Sequence, residues 1–226
     1  MTRSIANTKS GVASIYGVGA TKALALNAVG IFTTTDLRKS AKEMKRLTST
    51  QKKGLLHHSK ISKRISRAIA QKHIAYIKQK IRGATVTGSY RRKRDTVGDI
   101  DILITSPLDR AIAKLGDYIT VKLACGEYKF SGLAKLPNTK HYIRIDIIKT
   151  KPSEKAFALL YFTGSATYNI KMRIKARTMG YMLSQHGLQN IHTKKYVSGL
   201  RTERSIFEYL KMVYVPPSKR NKCTTK

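Results

Sequence analysis

An α+β fold is predicted for this 226-residue chain by three features: helical patterning up to residue 81, strand patterning from 84 to 148, and helical patterning again from 154 onward. Residues 11–58 fit short helices joined by tight turns. The turn Gly17-Val18-Gly19 leads into an apolar-rich helix at Ala20–Leu26, Gly30 makes the next turn, and Thr35-Asp36 supplies cap chemistry. Ile61, Ile65, Ile69, Ile77 and Ile81 recur at steps of four and eight, which predicts one amphipathic helix over 61–81 with a basic outer face.

After Gly83 the period changes to two. Strands are predicted at Ala84–Thr87, Asp99–Ile104, Tyr118–Ala124, Lys129–Leu136 and His141–Ile148. Helices are predicted at 154–162, 166–179 and 203–211, followed by a frayed basic tail over Ser218–Lys226. The expected organisation is a helical module over 1–82, a mixed sheet with helices over 83–160, and a small α/β portion over 161–226.

Charge narrows the partners. Forty-five Lys and Arg against 12 Asp and Glu give +33, spread along the whole chain, and such a fold repels itself unless a polyanion is its usual partner. A nucleic-acid backbone answers that need, and so does a ribosomal type of assembly. Cys125 and Cys223 are too few for a disulfide framework or a four-cysteine zinc site, and both are expected as reduced thiols. Met1–Ser10 has no apolar signal segment, and no run reaches the ~18 apolar residues of a membrane span. The expectation is a soluble, intracellular monomer with no membrane partner, in the nucleus, the cytoplasm or a virion.

The scarce acids carry the chemistry. Asp99 and Asp101 stand two apart on one predicted strand, so both leave the same face, with Ile100, Ile102 and Ile104 on the other. Asp146 lies in a second alternating strand, Arg144-Ile-Asp-Ile-Ile148. If the two strands are neighbours, three carboxylates meet, which is costly without a cation; oxygen-only ligands suit Mg²⁺. Upstream, Gly88-Ser89-Tyr90-Arg91-Arg92 forms a turn whose N–H groups, hydroxyl and guanidinium suit a triphosphate.

Gly88-Ser89 followed by Asp99-x-Asp101 resembles the signature of the nucleotidyltransferases. With Gly98-Asp99-Ile100-Asp101, Arg144-Ile145-Asp146, Tyr161-Phe162-Thr163-Gly164-Ser165, Asn169 and Met172-Arg173, it resembles family X DNA polymerases, the DNA polymerase β group, over residues 11–217. The resemblance implies a nucleotidyltransferase palm, preceded by a helix-hairpin-helix DNA-binding subdomain and followed by a small nucleotide-selecting subdomain. It implies template-directed, gap-filling synthesis in DNA repair, of the base-excision type, on gapped or primer-template DNA with dNTPs, with a DNA ligase as a possible partner. Asp99, Asp101 and Asp146 match ligands of two Mg²⁺ (or Mn²⁺) ions. Arg67, Ser89, Arg92 and Gly98 match triphosphate contacts, and Tyr161, Phe162, Gly164 and Asn169 match contacts to the nucleotide sugar and base. Gly17, Val18, Gly19, Arg144 and Arg173 match DNA contacts. The carbonyls of Ala13, Ile15 and Val18 match a Na⁺ or K⁺ site.

Departures from the family pattern carry expectations too. No lyase domain precedes the hairpin, so polymerase activity without deoxyribose-phosphate lyase activity is expected, as in compact viral members. Ile148 stands where an arginine pairs with a metal-ligand carboxylate, which predicts carboxylates less tied up before substrate arrives. Ala166, Gln185 and His186 replace residues that shape base discrimination and closing, which predicts low to moderate fidelity. Two other functions fit part of the pattern: an untemplated nucleotidyltransferase, and a non-catalytic DNA-binding module with the same fold.

Overall fold

A computed structural model of the protein describes residues 11–221 and divides between Lys63 and Arg64 into two compact units. Met1–Ser10 and Cys223 lie outside the described residues.

The first unit is helical. After a 3-10 turn at Gly11–Ser14 come α1 (Ala20–Ala28), α2 (Thr34–Lys39), α3 (Ala41–Lys45), α4 (Ser49–Leu56) and α5 (His58–Ser62). Thr33 and Thr48 open α2 and α4 with reciprocal capping boxes, to Asp36 and Gln51. Such short helices are marginal alone. They hold because Val12, Ile15, Leu26, Leu37 and Leu55 share one buried core.

In the second unit the expected 61–81 helix is broken. Ile65–Ser66 form strand β1, and only Arg67–Lys80 is helical (α6). Ser66 is extended and its hydroxyl accepts the Ile69 N–H at 3.3 Å, so it starts a new helix and does not continue an old one. Ile65 pairs antiparallel with Val97, and its match to the helical spacing is a coincidence. The division therefore falls earlier than residue 82, because Ala70, Ile74 and Ile77 of α6 pack into the sheet core.

The remaining elements run β2 (Thr85–Val86), α7 (Gly88–Arg91), β3 (Thr96–Val97), β4 (Asp99–Ile104), α8 (Leu108–Leu115), β5 (Ile119–Cys125), β6 (Lys129–Lys135) and β7 (Tyr142–Lys149). They continue with α9 (Lys155–Thr163), α10 (Ala166–Thr178), β8 (Tyr181–Leu183), β9 (Leu188–Asn190) and α11 (Glu203–Tyr209). The main sheet is mixed, in the order β2-β4-β7-β6-β5, with β4 parallel to β7 and its other pairings antiparallel. Ile100, Ile102 and Ile104 of β4 and Ile143, Ile145 and Ile147 of β7 fill one face, against α6 and α8. Each such isoleucine contributes about 1.5–3 kcal/mol by leaving water, which anchors the two strands that carry the acids. On the opposite face Leu103 and Ile148 pack on Ala158 of α9.

A second core joins α9, α10, the β8–β9 hairpin and α11 through Phe157, Met172, Leu188 and Phe207. The tail expected to fray over Ser218–Lys226 is ordered as far as it is described: Pro217–Lys219 makes a 3-10 turn and Arg220 is completely buried. No described helix is long and apolar enough to cross a membrane.

Candidate active site

Strand register assembles the acids. With β4 parallel to β7, Asp101 lies directly across from Asp146, and Asp99 across from Arg144. A carboxylate oxygen from each of Asp99, Asp101 and Asp146 falls within 4.8 Å of the others. Asp146 is buried and the other two are partly so. Burial, and then the charges of Asp99 and Asp146, push the Asp101 carboxyl up to about 7. Gly88 closes the site from above with φ +61°, and a Cβ there would stand 2.1 Å from Asp101 Oδ2. Crowded oxygens of like charge, with no nitrogen or sulfur among them, fit hard divalent cations such as Mg²⁺ or Mn²⁺.

Basic neighbours answer part of that charge. Arg144 Nη2 donates to Asp99, Lys129 Nζ lies 2.9 Å from Asp146 Oδ2, and Ser131 Oγ donates to Asp146 Oδ1 at 2.6 Å. The expectation drawn from Ile148, of carboxylates less tied up, therefore fails at Asp99 and Asp146. Register puts Ser131 opposite Asp146 and Lys129 opposite Ile148, so the neighbouring strand β6 supplies the partners that position 148 does not. Lys129 and Ser131 escaped the sequence analysis because only strand pairing brings them to Asp146.

One open pocket of about 420 Å³ gathers Ser89, Arg92, Asp99, Asp101, Tyr161, Phe162, Gly164, Asn169 and Arg173. Tyr161 and Phe162 pack edge to face at 5.1 Å, and Asn169 Nδ2 donates to the Tyr161 carbonyl at 2.7 Å. Gly164, with φ +65°, leaves room for Arg92: a Cβ there would sit 3.2 Å from Arg92 Nη1. Arg92 Nη1 donates to the Thr163 carbonyl. Burial works against the charge of Arg92, while Asp101 and Asp99 favour it.

Arg67 and Gly98 are not among the pocket's lining residues. The Arg67 guanidinium stacks 4.0 Å over the Tyr90 ring and donates to the Tyr90 carbonyl at 2.8 Å, so it braces α7 from behind. Gly98 joins β3 to β4, with Arg64 beside it. Sequence reasoning also missed a charged cluster next to the pocket. Glu203 accepts from Arg91 at 3.0 and 2.6 Å and from Arg220 at 2.7 Å, and Arg91 donates to Thr163 Oγ1 at 2.6 Å. Burial opposes ionisation of Glu203, but these hydrogen bonds hold its carboxyl below the ordinary range.

In the helical unit, Gly17 has φ +86°, and Gly17 and Gly19 are exposed while Val18 is buried. The Ile15 carbonyl accepts the Val18 N–H at 3.0 Å, and the Gly17 carbonyl accepts from Gln51 Nε2 at 3.0 Å. Ala13 lies in the preceding 3-10 turn. Any contact made by Val18 must use its backbone.

Family models of the DNA polymerase beta palm and thumb match residues 60–152 and 158–221. Rat DNA polymerase lambda is 32% identical over 92% of this chain and 41% of its own length. Human DNA-directed DNA/RNA polymerase mu is 28% identical over 92% of this chain and 51% of its own. The chain thus spans about half, or less, of the length of these curated relatives. Among solved structures, the ternary primer-template complex of Leishmania infantum polymerase beta superposes with a TM-score of 0.80 at 26% identity, covering 94% of this chain and 97% of the other. Its ternary gap complex superposes at 0.81 and 25% identity, covering 94% and 89%. The palm and thumb matches run in order through most of the chain, over the sheet that carries the three aspartates, and the chain belongs to family X of the DNA polymerases, the DNA polymerase β group.

Proposed function

We propose that this protein is a template-directed DNA polymerase that fills short gaps in DNA repair, adding a dNTP to a primer 3′-hydroxyl and releasing pyrophosphate. The convergence of Asp99, Asp101 and Asp146 beside a pocket lined by Ser89, Arg92 and the Tyr161–Gly164 segment carries this reading. The three carboxylates would hold two Mg²⁺ ions, which when bound lower the hydroxyl pKa and neutralise charge on the reacting phosphate and the leaving pyrophosphate. Everything else falls to the chain. Ser89 and Arg92 bind the triphosphate, and Arg92 neutralises it in a partly buried setting where charge counts for more than in water. Tyr161, Phe162 and Gly164 wall the sugar. Asn169 and Arg173 orient the base and the template strand, and Arg144 releases Asp99 as the primer terminus arrives. On either side of Val18, Gly17 and Gly19 offer unhindered N–H groups to a DNA phosphate in a helix-hairpin-helix, with a Na⁺ or K⁺ ion on the carbonyls of Ala13, Ile15 and Val18. Filling a gap leaves a nick, which a DNA ligase must seal.

Single-nucleotide filling of a gapped duplex, with each dNTP supplied alone, tests the proposal. The nucleotide complementary to the template should be added in preference to the others. Asp146→Ala should abolish addition while leaving duplex binding nearly unchanged. Equal addition of all four nucleotides, or normal addition by the variant, would refute it.

A further inference from the structure

Patterning marks residues 218–226 as a solvated basic tail, yet Arg220 is 0% exposed. Its Nε donates to the Val215 carbonyl at 2.8 Å, Nη1 reaches Glu203 at 2.7 Å, and the guanidinium lies 5.3 Å from the Phe207 ring centroid. With Arg220 held there, its carbonyl accepts from Ser165 Oγ at 2.7 Å, at the turn that walls the pocket. The next residue is thereby delivered to Arg92. Asn221 Oδ1 accepts from Arg92 Nε at 3.0 Å, while Asn221 Nδ2 donates to the Arg92 carbonyl at 3.1 Å and to the Ser218 carbonyl at 3.2 Å. One carboxamide grips both the guanidinium and the backbone of the same arginine. Thr163 takes Nη1, and among the described residues Nη2 takes no hydrogen bond, while Arg92 lines the pocket.

We propose that Asn221 is a positioning residue for nucleotide binding. By holding Nε and the backbone of Arg92 it aims the remaining guanidinium donors at the triphosphate, which makes the segment from Val215 to Asn221 a brace behind the nucleotide site. This rests on the assignment of Arg92 as a triphosphate ligand. Without Asn221, a long side chain regains rotamers that no longer point at the phosphates, so nucleotide is held less tightly while the aspartates are untouched.

The test combines steady-state gap filling with calorimetric binding of the correct dNTP to enzyme on a dideoxy-terminated gapped duplex, where no bond forms. Asn221→Ala should raise KM and weaken binding about tenfold, the worth of a charge-assisted hydrogen bond. Its kcat should stay within about twofold. Asn221→Asp, of equal size, should also weaken binding, because it loses both Nδ2 bonds and sets a competing anion beside Arg92. In an Arg92→Ala background, Asn221→Ala should have no further effect. Unchanged binding in both Asn221 variants, or the same loss with and without Arg92, overturns the proposal. If Arg92→Ala itself binds nucleotide like the wild type, the assignment of Arg92 fails first, and this inference falls with it.

Discussion

Replacing Glu203 by Gln keeps size and shape but removes the one acid that faces both Arg91 and Arg220. Glu203 is 6% exposed in its side chain, Arg220 0% and Arg91 23%, so little solvent is present to screen the change. Among the described residues Arg220 Nη2 finds no hydrogen-bond partner, so its guanidinium relies on Glu203 for charge compensation. Leaving one buried charge without its partner costs about 3–5 kcal/mol. Summing the three charge-assisted bonds singly would exceed that, but bonds sharing one carboxylate do not add. For a unit of this size the loss lowers the thermal midpoint by roughly 10 °C. The sign with pH follows from the Glu203 carboxyl, which its hydrogen bonds to Arg91 and Arg220 hold below the ordinary carboxylate range. Its contribution is full above the unfolded value and is lost as pH falls through the folded one. Urea unfolding of wild type and Glu203→Gln should therefore differ widely at about pH 7 and converge in strong acid. Adding Arg220→Met should recover much of the loss, because the stranded charge goes with it. A difference under about 1 kcal/mol at neutral pH, or one that persists unchanged in acid, refutes the reasoning.

Three further outcomes follow from the same structure. Gly88→Ala should cut gap filling by about 10²-fold or more with the circular dichroism unchanged, since its Cβ would lie 2.1 Å from Asp101 Oδ2; near-normal activity would remove Gly88 from the site. His73, buried with Tyr118 Oη at 2.8 Å, is pushed down to about 4 by burial. It should cost the fold about 3 kcal/mol as pH falls from its unfolded value of 6.5 through that point, and chemical unfolding at a series of pH values should lose this slope in His73→Gln. With +33 on the chain, affinity for gapped DNA should fall about 10³-fold between roughly 50 and 200 mM salt, and a shallow slope in a fluorescence titration would contradict backbone-dominated binding.

The acids were legible in the sequence because strand periodicity is local. Asp99-Ile-Asp-Ile alternates, so its two carboxylates share a face whatever surrounds them. The order Gly88-Ser89, Asp99-x-Asp101, Asp146 and Tyr161–Ser165 was enough to identify the family resemblance, and the strands of the main sheet and the later helices followed from period alone. Patterning failed where a short-range rule competed with it: isoleucine spacing suggested one helix through residue 65, while the cap at Ser66 and the pairing of Ile65 with Val97 broke it.

What only the tertiary structure decided is who stands next to whom. Asp101 faces Asp146 because β4 and β7 pair in parallel with one register, and a slip of β7 by one residue would send Asp146 to the other face, away from Asp99 and Asp101. Lys129 and Ser131 reach Asp146 through that same sheet, more than a dozen residues away in sequence. Arg220 and Asn221 look like a solvated tail locally, since burial of a cation depends on a carboxylate and aromatic rings brought from distant segments. Sequence determines which face of an element a side chain takes; only packing determines what that face meets.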